Sequence, residues 1–323
     1  MSIKAIRIHK TGGPEVLQLD DVDLPPPAAG QVRVRNKAIG LNFVETYFRS
    51  GLYPVPLPFT LGSEAAGVVE ALGDGVTHLK VGDRVAYNSG GAYAEATNLP
   101  AIRALPLPDA VSFEAAATLL LKGATAEYLL RRTFHVEPGQ TILWHAAAGG
   151  VGLIATQWAK HLGATVIGTV GSDEKAALAK AHGCDHVINY RSENVVERVK
   201  EITGGKKVPV VYDGVGKDTF AASLDCLSAR GLLVSFGNAS GPVTGVDLGI
   251  LATKGSLYLT RPTLATYAAS NEDYVEIGRN VFDVVAKGAV KIQINQRYKL
   301  ADAAQAHRDL EARKTSGATV LVP

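Results

Sequence analysis

Cysteine, methionine and net charge are all scarce in this chain. Only Cys184 and Cys226 occur among 323 residues, and residues 1–183 contain no cysteine. Two thiols make no disulfide framework, and the cysteine-free half has no closely spaced thiol cluster for a structural zinc. The eight histidines show no paired ligand spacing. Lys and Arg number 33 against 31 Asp and Glu, a formal charge of +2, so nothing argues for nucleic acid or a membrane surface as partner. The longest apolar candidate, Ala115–Leu121, falls far short of the roughly 20 residues that cross a bilayer. Met1–Arg7 lack the apolar core of a signal peptide. These absences lead us to expect a cytoplasmic protein with two structural thiols, no membrane partner and no metal.

What is present is glycine, 34 residues of it, which suits tight turns and close backbone approach. The length fits two domains better than one. The first 120 residues read as short strands broken by turns. Ile3–Ile8 and Gln31–Arg35 alternate at period two, and Ala66–Gly73 and Val81–Ala86 follow as further strand candidates. That pattern predicts a β-rich domain, a partly open barrel. The rhythm changes at Ser112–Ala117, a serine-capped helix start. From about 125 to 260, apolar strands alternate with helical spacing: Thr141–His145, Val151–Leu162, Thr165–Val170, Glu174–Ala181, His186–Asn189, Val195–Thr203, Val208–Tyr212, Phe220–Leu227 and Gly231–Phe236. Such alternation predicts a parallel sheet covered by helices on both faces. The tail carries helical patterns at Asp273–Lys287 and Ala301–Arg313 and extended ones at Gln293–Tyr298 and Ala318–Val322.

The most informative stretch joins the first strand of this alternation to its helix: Ala146-Ala147-Ala148-Gly149-Gly150-Val151-Gly152. A strand, a small-residue turn and a helix N-terminus form a pyrophosphate site, because free backbone N–H groups and the positive helix end face the anion. Gly149, Gly150 and Gly152 allow backbone to approach phosphate and helix to approach strand. Alanine at 147 stands where the usual G-x-G-x-x-G has its first glycine. The second strand then ends Val170-Gly171-Ser172-Asp173-Glu174-Lys175. An NAD site expects a carboxylate at that strand end for the ribose hydroxyls. Gly171 and Ser172 stand there instead, with Lys175 as a cation within reach of a 2′-phosphate. Asp173 and Glu174 read as helix-start acids. The expected cofactor is NADPH.

Together, Gly62-Ser63-Glu64-Ala65-Ala66-Gly67, Val81-Gly82-Asp83-Arg84-Val85, His145–Gly152, Ser235-Phe236-Gly237-Asn238 and Tyr258-Leu259-Thr260-Arg261-Pro262 resemble the zeta-crystallin-like NADPH:quinone oxidoreductases. These are zinc-free members of the medium-chain dehydrogenase/reductase superfamily. The likeness runs the whole length and implies an α/β fold: a Rossmann doubly wound parallel sheet plus a GroES-like β-rich catalytic domain. The implied domains are 1–124 with 262–323, catalytic, and 125–261, NADPH-binding, with the cofactor in the cleft between them. A homodimer through Rossmann edge strands is implied, with Gly255–Thr260 as the matching segment. The resemblance sets Asn42 and Tyr47 beside the nicotinamide, Lys175 and Tyr190 around the 2′-phosphate, and Arg313 on the cofactor phosphates. It sets Phe236, Gly237 and Asn238 near the nicotinamide ribose and amide, and Thr125 facing the cofactor.

Related alcohol dehydrogenases bind catalytic zinc through cysteine and histidine, and the matching places here hold Asn42 and Ser63. Neither is a usual zinc ligand. Alcohol oxidation needs a metal or a relay base to steady an alkoxide. A quinone is already a good acceptor and needs only positioning and a hydrogen-bond donor. Tyr47 is the candidate donor, with Asn42 orienting nicotinamide or substrate. Two other readings share these residues: an NADPH-dependent reductase of activated C=C bonds in enones or enals, and an NADPH-binding protein without significant turnover.

Overall fold

The computed structural model describes all residues, 1–323. Elements in chain order begin with β1 (Ser2–Ile8), β2 (Gln18–Asp23), β3 (Gln31–Leu41), α1 (Phe43–Ser50), β4 (Phe59–Thr60), β5 (Glu64–Leu72), β6 (Arg84–Asn88), β7 (Ala96–Pro100), β8 (Ala104–Pro106) and α2 (Phe113–Tyr128). Next come β9 (Thr141–Trp144), α3 (Gly150–His161), β10 (Thr165–Val170), α4 (Asp173–Ala181), β11 (His186–Asn189), α5 (Val195–Ile202), β12 (Val208–Asp213), α6 (Phe220–Cys226), β13 (Leu227–Ser235), α7 (Gly249–Thr253) and β14 (Tyr258–Thr260). The tail supplies α8 (Leu264–Tyr267), α9 (Asn271–Ala286), β15 (Ile294–Lys299), α10 (Ala303–Glu311) and β16 (Ala318–Val322). No helix is long and apolar enough to cross a membrane.

The chain divides into two compact units. One gathers Met1–Lys122, Ser270–Ala286 and Ile292–Pro323; the other takes Gly123–Ala269 and Lys287–Lys291.

The first unit is β-rich, as alternation in its strands predicts. A seven-stranded sheet runs β15-β16-β3-β5-β6-β8, with β7 pairing β3, and a smaller sheet runs β2-β1-β4. β16 pairs antiparallel with β3, Val320 opposite Gly40, so the chain's last strand completes a sheet begun near its first. Ile6, Ile8, Val34, Ile39, Leu61, Tyr87, Tyr93 and Leu321 share one core. Buried Asn36 joins strand to loop there: its Nδ2 donates to Ala94 O at 2.8 Å, and its Oδ1 accepts from Tyr87 Oη at 2.9 Å.

The second unit is a six-stranded sheet in the order β11-β10-β9-β12-β13-β14. Every neighbouring pair is parallel. In local numbering this is 3-2-1-4-5-6, the Rossmann order, whose direction of travel reverses beside its first strand. β9 is that strand, so the glycine-rich turn sits at the switch point. The near-continuous apolar runs of β9, β10 and β12 follow from burial on both faces; Leu143, Ile167 and Val211 are fully buried. β14 is an edge strand. Its regular pairing covers Tyr258–Thr260, the second half of the expected Gly255–Thr260 segment, because Gly255 (φ 114°) and Ser256 (φ 55°) turn the chain just before it.

Candidate functional site

The turn after β9 is fastened to both neighbouring strands. His145 N donates to Tyr212 O (3.0 Å) and Ala147 N to Thr169 O (3.0 Å). Ala146 adopts a left-handed backbone, φ 54°, and its carbonyl accepts from Gly149 N at 2.9 Å. Gly149 is extended and caps α3, and no side chain caps that helix end. The first-turn N–H groups of Gly150, Val151 and Gly152 have no intrahelical acceptor, and they point forward with the positive end of the helix dipole. Gly152 is compulsory for a different reason. A methyl there would lie 2.5 Å from Ala146 O and 2.6 Å from Ala147 O, so any side chain would push α3 off the loop.

A buried polar network lies behind this turn, and the sequence reading missed it. His145 Nδ1 meets Thr169 Oγ1 at 2.9 Å, its Nε2 meets Ser223 Oγ at 3.0 Å, and Ser223 Oγ donates to Asp213 Oδ2 at 2.7 Å. Ser223 has one proton and gives it to Asp213, so Nε2 is the imidazole donor and Nδ1 accepts from Thr169. Asp213 also accepts from Val215 N (2.8 Å), Gly216 N (3.0 Å) and Thr219 Oγ1. Burial pushes His145 below its ordinary pKa, against the opposing field of Asp213, and so keeps the ring neutral. A hydrolase triad needs histidine between serine and aspartate; here serine is in the middle and all three are buried. The network instead ties together the carboxyl ends of β9, β10 and β12. Its one sequence signal is a histidine abutting the glycine-rich turn.

The second predicted cluster assembles at the ends of β10 and β11. Val170 pairs with Asn189, and Tyr190 N donates to Val170 O at 3.0 Å. The exposed Tyr190 ring lies over Gly171, where a Cβ would collide with its hydroxyl. Gly171, Ser172, half-buried Lys175 and Tyr190 thus come together. Ser172 has a task the sequence reading assigned to its neighbours: it is the cap of α4, accepting Lys175 N at 3.3 Å. That bond uses a lone pair and leaves the hydroxyl proton for an outside acceptor. Asp173, expected only at the helix start, also accepts from Asn189 Nδ2 at 2.9 Å.

Phe236, Gly237 and Asn238 follow β13. Phe236 N donates to Asp213 O (2.9 Å), and its ring lies 5.4 Å from that of Trp144, which stacks on Tyr212 at 4.8 Å. Gly237 packs backbone to backbone on Gly214, with no room for a side chain. The Asn238 carboxamide is oriented with its oxygen accepting from Arg261 Nη2 (3.0 Å) and its nitrogen on Gly237 O (3.0 Å), while Arg261 Nη1 donates to Ser235 O at 2.8 Å. Thr125 is half-buried on α2.

In the first unit, buried Asn42 caps α1. Its N–H donates to Glu45 Oε2 (2.7 Å) and its Nδ2 to Glu64 Oε1 (3.1 Å). Glu64, with no exposed surface, also accepts from Lys122 Nζ (2.8 Å) and Leu121 N (2.7 Å). Glu45 is equally buried and its pKa is pushed up to about 7. Burial is the main cause and Glu64 adds to it; Ser63, Lys122 and the Asn42 N–H pull the other way. Tyr47, half-buried on the same helix, lies edge-on to Tyr53 at 5.3 Å. Arg313 was expected to end a helix. The structure corrects this: α10 stops at Glu311, and exposed Arg313 takes a left-handed conformation, φ 59°, beyond it. Neighbouring Lys314 N returns to Asp309 O (3.0 Å), closing the helix end before Arg313 can extend it.

The donors at the matching zinc positions do not fit that ion. Asn42 already commits its amide to Glu64, Ser63 is a neutral hydroxyl, and no group of three or more His, Cys, Asp or Glu gathers as a ligand set.

A β-rich domain and a Rossmann sheet with a glycine-rich turn at its switch point, in one chain, define a nucleotide-dependent dehydrogenase or reductase of the medium-chain class. The family model for the alcohol dehydrogenase GroES-like domain matches residues 28–133, and that for zinc-binding dehydrogenase matches residues 150–278. A quinone oxidoreductase of Pseudomonas aeruginosa is 58% identical over 99% of both chains. The solved structure of Escherichia coli quinone oxidoreductase complexed with NADPH is 55% identical, with a TM-score of 0.97 over 99% of this chain and 100% of that one. A more distant relative, 2-haloacrylate reductase of Burkholderia, is 45% identical over 99% of both chains. The chain belongs to the quinone oxidoreductase family of the medium-chain dehydrogenase/reductase superfamily.

Removing Lys122 leaves a buried carboxylate without its cation, which costs about 3–5 kcal/mol. Lys122→Met is expected to lower the denaturant midpoint accordingly, and adding Glu64→Gln should restore most of it. Additive losses in urea melts of the single and double variants would contradict the pairing.

Proposed function

We propose that this protein reduces quinones with NADPH, without a metal. Full-length likeness to quinone oxidoreductases, one of them solved with NADPH, carries the reading. The geometry supports it at both ends of the cofactor. The N–H groups of Gly150, Val151 and Gly152 would hold the diphosphate, with Gly149 setting the turn. Ser172 would donate to the 2′-phosphate, Lys175 would neutralise it, and Tyr190 over Gly171 would wall it in. Phe236, Gly237 and Asn238 would take the nicotinamide ribose and amide, with Thr125 facing the cofactor. Arg313 would add a cation for the cofactor phosphates. Bound NADPH supplies the hydride.

The remaining work falls to Asn42 and Tyr47. Asn42 is held rigidly by Glu45 and Glu64, so its second amide proton has a fixed direction for orienting nicotinamide or substrate. The Tyr47 phenol donates to the substrate oxygen on which charge grows. The first unit is thus the catalytic domain and the second the cofactor domain. We assign a cytoplasmic location, supported by two buried free cysteines. We also assign a homodimer through β14, supported by the exposed apolar side chains of Tyr258 and Leu259 on a strand with an unpaired edge.

Three outcomes test this reading. Lys175→Ala should weaken NADPH binding about tenfold or more and leave NADH nearly unchanged, by titration of cofactor fluorescence; equal losses would refute the 2′-phosphate site. In parallel assays, benzoquinone and naphthoquinone should turn over faster than 2-haloacrylate or small enones. The reverse order would favour the C=C reductase reading that the Burkholderia relative supports, and tight NADPH binding with no turnover would overturn both. Light scattering should give twice the chain mass for the wild type, and Leu259→Lys should shift it toward the monomer; a monomeric wild type rejects the dimer.

A further inference from the structure

Charge accounting around Glu45 leaves a proton unassigned to any structural task. Two buried carboxyls, Glu45 and Glu64, share one buried ammonium. Lys122 bonds Glu64 at 2.8 Å. Arg49, one turn along α1 from Glu45, is committed elsewhere: to Glu311 (2.7 Å), His307 Nδ1 (3.0 Å) and Gly12 O (3.1 Å). His307 contributes no charge, since burial and Arg49 push its pKa down to about 3. Two tyrosines also feel these carboxyls: Tyr93, whose hydroxyl meets His307 Nε2 at 3.2 Å, and Tyr274, whose hydroxyl donates to Arg103 O at 2.9 Å; both stay neutral because burial raises their pKa. Ionised Glu45 would therefore be a second buried anion with no cation of its own, an expensive state.

The carboxyl is also asymmetric. Oε2 accepts the Asn42 N–H at 2.7 Å, while Oε1 is buried without a hydrogen-bond partner. An acid proton on Oε1 removes the second charge and gives that oxygen a donor that a neighbouring hydroxyl can accept. The Ser63 hydroxyl stands against the same carboxyl, without completing a bond to Oε1, and is half-exposed where Glu45 is sealed. Ser63 and Asn42 thus both adjoin Glu45, and Ser63 is the one with exposed surface; under the function proposed above, Asn42 is also the residue that meets the nicotinamide.

We propose that Glu45 stores the proton that completes substrate reduction and passes it out through Ser63. This rests on the quinone-reductase reading. Hydride from NADPH brings two electrons and one hydrogen to the quinone and leaves one oxygen anionic. Ser63 gives its hydroxyl proton to that oxygen and takes the Glu45 proton in exchange. The products are hydroquinone, NADP⁺ and a Glu45 carboxylate, which a solvent proton recharges by the same route. Glu45 acts through Ser63, as a positioning and storage group, while Tyr47 holds the oxygen.

The pH sign follows from the raised pKa. The store is full below about 7 and empties above it, so turnover falls as pH rises through that value. Two measurements on the full chain test this. Infrared spectra of the cofactor-free protein should show a protonated-carboxyl band that titrates near pH 7 and is absent from Glu45→Gln, whose amide oxygen still accepts the Asn42 N–H. With benzoquinone and NADPH, wild-type kcat should fall about tenfold per pH unit above the midpoint. Glu45→Gln should give a flat, low profile, and Ser63→Ala should keep the infrared band yet lose about tenfold in kcat at pH 6. No band in the wild type overturns the store. A wild-type pH profile in Glu45→Gln, or unchanged kcat in Ser63→Ala, overturns the relay. Should Glu45→Gln not fold, the wild-type band and Ser63→Ala decide alone. A band without turnover of any quinone supports the store and sinks the functional reading instead.

Discussion

The burial of Glu64 organises the first unit. A carboxylate with no exposed surface must have its lone pairs answered, and the answers come from two different helices. Asn42 arrives from the head of α1, while Lys122 and the Leu121 N–H arrive from the middle of α2. Space for the carboxylate is made by Gly40 near the end of β3, where a Cβ would strike both Glu64 and Ala117 O. Glycine in a strand interior is costly, and here the close approach explains it. One charge thus sets where α1 begins, how α2 lies over the sheet and which way the Asn42 amide points.

The second unit solves the same problem with a neutral histidine and a charged aspartate. Asp213 collects backbone N–H groups at the end of β12 and reaches His145 through Ser223, so the strand ends on either side of the glycine-rich turn cannot move independently. Buried polar networks rigidify only when every member is satisfied. Both networks meet that condition, and both lie directly behind a candidate binding surface. Binding groups held this way need little reorganisation when a ligand arrives. Glu45 Oε1, an unanswered oxygen beside the first network, stands out against that background.

Local pattern made much of the fold legible. β10, β11 and β16 end where alternation and apolar runs end, and α3 begins one residue before its spacing does. The glycine-rich turn was readable because its chemistry is contiguous. Long-range pairing was not. Nothing near Glu64 in sequence announces Lys122, 58 residues away, and nothing near His145 announces Ser223, 78 residues away. Both pairs are made by topology, once strands and helices have found their order. Ser172 shows a subtler limit: a serine before a helix suits a cap and a phosphate donor equally, and only the 3.3 Å bond from Lys175 N reveals the first duty. Arg313 shows the opposite error, since apolar spacing carried the predicted helix two residues beyond Glu311, onto the residue where the backbone turns left-handed.

Replacing zinc donors with Asn42 and Ser63 changes more than metal binding. A metal site steadies an alkoxide and so works in either direction. An acid near neutrality works best toward reduction, because alcohol oxidation would need Glu45 empty to receive a proton. That state puts an uncompensated second anion beside Glu64, and burial raises its cost further. Under the relay proposed above, the same burial that lifts the Glu45 pKa to about 7 keeps a proton ready for the reduced substrate below that pH. Lys122 limits that rise: it bonds Glu64 directly and acts on Glu45 only through its field. The unequal count of two carboxyls and one ammonium thus links the packing of α1 against β5 and α2 to the protonation state of Glu45.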